Sequence, residues 1–84
     1  MMKYFCEVYP RDGHELNAIH DIVNRKFVTI EGCDVGERGH IFAVNGSGVH
    51  TSTIFSVDHL CEGDLRITTR NSIYDLTRVD DDET

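Results

Sequence analysis

Between His50 and Leu76 (HTSTIFSVDHLCEGDLRITTRNSIYDL) apolar residues recur at alternate positions in three successive runs. A period of two places one set of side chains on one face of an extended chain, so the stretch predicts β-strands with a buried and an open side. His59–Asp64, acidic and turn-forming, separates the first two runs, and the polar pair Asn71-Ser72 separates the second from the third. Antiparallel pairing across the first separator sets Val57 opposite Leu65, Phe55 opposite Ile67 and Thr53 opposite Thr69. That register leaves Ser52, Ser56, Arg66 and Arg70 on the second face, with Ile54 among them. Asn71-Ser72 reads as a bulge or sharp bend, after which Tyr74 and Leu76 return to the apolar face. A strand that bends and continues lets a small sheet curl toward a barrel.

The rest of the chain divides by the same reasoning. Residues 2–9 alternate, with Met2, Tyr4, Cys6 and Val8 on one face, and Pro10-Arg11-Asp12-Gly13 ends that strand. Asp12 and Glu15 have the spacing of a capping box, and Leu16, Ala18, Ile19, Ile22 and Val23 fall within an arc of roughly 160° on a helical wheel. This predicts a helix over His14–Arg25, with a strand from Ile22 onward as the competing reading. Phe27–Glu31 is β-branched and aromatic and reads as a strand. Residues 32–39 carry three glycines and three charges, which makes a loop, and His40–Val44 is a short strand. Asn45-Gly46-Ser47-Gly48 is the strongest turn signal in the chain. The expected fold is α+β: a small, mostly antiparallel, strongly curved sheet or partly open barrel of five to six strands, with one N-terminal helix. It forms a single domain over residues 1–79, followed by an acidic tail at 80–84.

Charge and cysteine content bound the partners. The net charge is −7, and residues 80–83 supply four of the fifteen acids, leaving eleven against eight bases, or −3, on the body. This sign disfavours direct nucleic-acid binding, which calls for clustered Lys and Arg. Only Arg66, Arg70 and Arg78 are regularly spaced in one region. The three cysteines are an odd number without C-x-x-C spacing and read as free thiols in a reducing compartment. No apolar run reaches the length of a membrane span, and MMKYFCEV lacks a signal-peptide core. The expectation is a soluble protein of the cytoplasm, with no membrane partner.

No catalytic motif stands out. His59-x-Cys61 is the one close pair of metal-type ligands, and zinc needs three or four that converge; the expectation is no metal and no cofactor. Cys61 sits among carboxylates and Cys6 on an apolar face, settings that disfavour a thiolate nucleophile. Gly36-x-x-Gly39 and Gly46-x-Gly48 lack the lysine and helix of a phosphate loop. The best local candidate is the hydroxyl-rich set Thr51, Ser52, Thr68, Arg70, Asn71 and Ser72, which gathers short donors and acceptors around one guanidinium, as a phosphate, nucleotide or peptide backbone would require. The competing reading is that threonines suit strands by shape. Asp34, Glu37, Asp58, Glu62 and Asp64 are candidates for an acidic binding surface.

The pattern G-x-G-x-HTS-x-x-x-S-V (Gly46 to Val57), followed by R-I-TTRNS-x-Y-x-L (Arg66 to Leu76), resembles the closing strands of small proteins encoded by bacteriophages and prophages. The resemblance implies an accessory protein of the kind that includes anti-CRISPR and other anti-defence inhibitors, acting in the host cytoplasm. Taken together, these readings expect a non-enzymatic protein that binds and blocks a protein partner, a component of a bacterial defence complex. The alternative is a small-ligand or nucleotide-binding module built on the Thr/Ser/Arg/Asn cluster. Homo-oligomerisation would suit a chain this short.

Overall fold

The computed structural model describes residues 3–11, 13–16 and 18–79. Six strands follow one another: β1 (Lys3–Pro10), β2 (Lys26–Glu31), β3 (Arg38–Ala43), β4 (Gly48–His59), β5 (Leu65–Thr69) and β6 (Ser72–Val79). Each pairs antiparallel with its neighbour in sequence, and β1 pairs with β6, so the sheet closes into a barrel. The closing ladder is long, running from Lys3 opposite Val79 to Pro10 opposite Ser72. Closure removes the free edges that an open sheet would present.

The core follows the alternation. Tyr4, Cys6 and Val8 of β1 point inward, as do Val28, Ile41, Val49, Ile54, Leu65, Ile67, Tyr74 and Leu76. Ile41, Ile54 and Ile67 are fully buried, and each such side chain contributes about 1.5–3 kcal/mol through the water it sheds.

The predicted α+β class is corrected to an all-β closed barrel, because the expected helix over His14–Arg25 does not form. Its place is taken by turns and one short 3-10 helix, His20–Ile22, which has no side-chain cap hydrogen bond. The segment is rich in β-branched residues, Asn, Asp and His, all weak helix formers. Its end is also committed elsewhere. Arg25 N–H donates to the Cys6 carbonyl, and Asn24 Oδ1 accepts from Val8 N–H. Arg25 takes a left-handed conformation (φ 62°) to make this return. Val23 is buried in the core, while Ile19, expected on the apolar arc, is 58% exposed. The proposed capping residue Asp12, Met2 of the first strand and the acidic tail lie outside the described residues.

The β4 register also differs from expectation. Val57 pairs with Ile67 and His59 with Leu65, two positions from the predicted alignment, because the turn between β4 and β5 is tighter than expected. In addition β4 carries one extra residue on each side. Against β3, three steps from His50 to Thr53 match two from His40 back to Arg38. Against β5, two steps from Ile54 to Ser56 match one from Thr69 to Thr68. Each bulge flips the alternation. Ile54, predicted on the second face, is therefore in the core, and Phe55, predicted inward, is 52% exposed. Asn71-Ser72 does not bend a continuing strand; Arg70-Asn71 forms a tight hairpin turn, and β6 runs back along β5.

Candidate anion-binding site

The β5–β6 turn is fixed by side-chain hydroxyls. Thr69 Oγ1 donates to the Ser72 carbonyl at 2.9 Å and accepts from Ser72 N–H at 3.1 Å, closing the two-residue loop from within. The neighbours on both sides hold it. On one, Arg70 N–H donates to the Thr53 carbonyl and Asn71 N–H to Ser52 Oγ. On the other, Arg11 N–H donates to the Asn71 carbonyl, and Arg11 Nη1 donates to the Thr69 carbonyl at 2.9 Å. The Arg11 guanidinium also lies 5.3 Å from the centre of the Phe55 ring, a cation–π contact.

These contacts shape an open pocket of about 410 Å³, lined by Pro10, Arg11, His14, Phe55, Arg70 and Ile73. Two guanidinium groups and an imidazole converge there, and among the described residues no carboxylate lines it. Arg70 is exposed, and its side chain makes no hydrogen bond or ion pair among the described residues. In a chain with net charge −7, the two described guanidinium groups at this pocket stand against the overall sign. The bulge at Phe55 creates its aromatic wall by turning outward a ring that unbroken alternation would bury.

The structure brings together part of the hydroxyl-rich set. Ser52, Arg70 and Asn71 meet at the turn. Thr68 stands on the outer face, opposite Ile73 of the pocket. Thr51 and Ser72 are buried and spend their hydroxyls on the fold. Thr51 Oγ1 accepts from Gly39 N–H at 2.9 Å and donates to the Ser52 carbonyl at 2.7 Å. Ser72 Oγ bonds to His20 Nε2 at 3.0 Å, tying the 3-10 turn to the barrel.

The acidic candidates fall into two groups rather than one surface. Asp34 and Glu37 lie on the β2–β3 loop, where Asp34 helps line a second pocket of about 390 Å³ with Cys33, Val57 and His59. Asp58, Glu62 and Asp64 belong to the β4–β5 hairpin. Asp58 stands opposite Arg66, whose guanidinium is ion-paired with Asp75 at 2.7 Å, and Asp64 Oδ1 accepts from Arg78 N–H. Of the thiols, burial pushes Cys6 up to about 12 and also raises Cys33; both are held as thiols. Among the described residues no three His, Cys, Asp or Glu side chains are grouped to hold a metal ion. No helix among them is long and apolar enough to cross a membrane.

Arg11, His14, Phe55 and Ile73 were not legible as site residues. Arg11 reaches the turn across 58 positions of sequence, and only barrel closure reveals that approach. Comparison with known proteins finds no matching family model, curated protein or solved structure. The phage and anti-CRISPR reading finds no support there.

Proposed function

We propose that the protein is a non-enzymatic binding module whose pocket at the β5–β6 turn takes a nucleotide-class ligand. In this reading the phosphate sits against Arg70 and Arg11, and the planar base lies along Phe55 and Ile73. The observation that carries it is the Arg70 guanidinium, without a partner among the described residues and facing a pocket that already holds a second arginine stacked on an aromatic ring. Arginine suits phosphate because its planar fork donates two parallel hydrogen bonds.

Two charge-assisted hydrogen bonds at about 1.5–3 kcal/mol each, with contact of the base along Phe55 and Ile73 offsetting the cost of association, place the affinity in the millimolar to high micromolar range for so open a site. Isothermal titration with adenosine, inorganic phosphate and ADP tests this. ADP should bind more tightly than either fragment, and Arg70→Ala should weaken ADP and phosphate together while leaving the melting temperature unchanged. Equal heats from wild type and Arg70→Ala would dismiss the reading.

A second reading, binding to another copy of the chain, is favoured by one specific observation. On the outer face of β1 and β2, Phe27 is 46% exposed and packs edge-on against Phe5 at 5.4 Å, beside Val44 at 65% exposure. Sedimentation of wild type and Phe27→Ser distinguishes it: a dimer lost on substitution supports self-association, and a monomer in both removes it.

A further inference from the structure

We propose that His40 and His50, facing each other across β3 and β4, form a two-histidine site for a divalent late transition-metal ion with cis coordination, of the Ni(II) or Cu(II) type. The two are direct cross-strand partners, so both rings stand on the outer face of the barrel. Their Nε2 atoms are 2.8 Å apart and the ring centres 3.8 Å apart, at an interplanar angle of 67°. The centres are only about 1 Å farther apart than the nitrogens, whereas rings meeting head to head would add the full depth of both. The imidazoles therefore do not meet end to end, and the two Nε2 atoms are brought together at the near edges of a tilted ring pair.

The spacing selects the geometry. At metal–nitrogen distances near 2.1 Å, two ligands at 90° stand about 3.0 Å apart, while a tetrahedral pair stands about 3.4 Å apart. The observed separation matches the right-angled pair within about 0.2 Å and would have to widen for tetrahedral zinc. Without metal, one ring must donate its Nε2 hydrogen and the other accept it. For a metal ion to sit between the Nε2 atoms, the donor ring carries its one proton on Nδ1 instead, and both rings then bind as neutral ligands.

The surroundings favour a cation. His40 is stacked on Phe42 at 5.5 Å and 7°, which fixes its ring plane. Glu31 of β2 is the cross-strand partner of His40 on its other side, placing a carboxylate in the same row. Arg38, two residues before His40 on β3, has its Nε committed to the Thr51 carbonyl. Water completes the coordination, since the face is open. The turn residues Asn45-Gly46 lie midway between the two histidines in sequence, so the hairpin itself sets the pairing.

Titration of the full chain, freed of metal with a chelator, with nickel chloride tests the proposal; nickel is chosen because it does not oxidise the free thiols. One Ni(II) should bind per chain, and His40→Gln and His50→Gln should each weaken binding about tenfold or more. Paramagnetic broadening of imidazole resonances in the unsubstituted protein should strike His40 and His50 first, a readout that does not depend on either variant folding. Absence of binding at about 1 mM Ni(II), broadening centred on His14, His20 or His59, or unchanged affinity in folded His50→Gln would overturn it.

Discussion

Replacing Thr51 with valine removes one oxygen and leaves the shape of the side chain almost unchanged. In the barrel that oxygen has two partners: it accepts from Gly39 N–H at 2.9 Å and donates to the Ser52 carbonyl at 2.7 Å. Thr51 is fully buried and Gly39 is buried with it, so in Thr51→Val no water can replace the lost acceptor at Gly39. A stranded buried donor costs about 1–3 kcal/mol. The Ser52 carbonyl belongs to a half-buried residue and adds less. For a domain of this size the loss corresponds to a fall of about 5–20 °C in melting temperature.

Thr51→Ser is the control, since it keeps the oxygen and gives up one methyl, worth about 1 kcal/mol. Calorimetry reads the first effect, and native-state hydrogen exchange reads the second: the Gly39 amide should lose protection in Thr51→Val and keep it in Thr51→Ser. If Thr51→Val melts at or above wild type with Gly39 still protected, the threonine is there for shape, and the hydrogen-bond argument for the β4 bulge fails.

Gly39 itself is predicted to resist substitution, because a Cβ there would lie 2.7 Å from Cys33 Sγ and 3.1 Å from Ile54 Cδ1; Gly39→Ala should cost about 1–3 kcal/mol by chemical denaturation, and an unchanged midpoint would contradict the close approach. Burial lowers the pKa of His20 from its ordinary 6.5, with Asp21 opposing. The folded state thus binds fewer protons than the unfolded chain, and the stability this neutral His20 contributes above pH 6.5 is lost as pH falls through that value toward the lower folded one. His20→Gln should flatten this part of the melting-temperature profile, whereas profiles parallel to wild type would show that His20 does not sense its burial. Among the thiols, exposed Cys61 should react first with an alkylating reagent at neutral pH. Cys6, buried and pushed up to about 12, should react only on unfolding, which mass spectrometry of timed aliquots would check.

Alternation located β1 and the β4–β6 stretch, because a buried face with period two is written directly into Tyr4–Cys6–Val8 and Tyr74–Leu76. What it did not supply was the phase of β4. The inward residues there are Val49, Thr51 and Ile54, with Val57 half-buried, and the steps of three at the bulges have no local signature. They arise because Gly39 approaches Thr51 closely on one side and Phe55 is extruded on the other. The segment 14–25 misled for a related reason. Its apolar spacing suits a helical wheel, yet its C-terminal end is held by hydrogen bonds to β1 that compete successfully with a marginal helix. Of the pocket, Arg70 was legible as the guanidinium of the hydroxyl-rich set. Arg11 and Phe55 were not, since one arrives through barrel closure and the other through a bulge.

The pocket around Arg11 and Arg70 is either a binding site or a bare surface feature of the β5–β6 turn. Amide chemical shifts of the labelled protein, followed as ADP is added to about 5 mM (several times a millimolar Kd), test this residue by residue. The prediction is a saturable set of shifts confined to residues 10–14, 53–56 and 69–73, absent in Arg70→Ala. Spectra that do not change, or shifts centred on the β2–β3 loop or the β4–β5 hairpin, would contradict it.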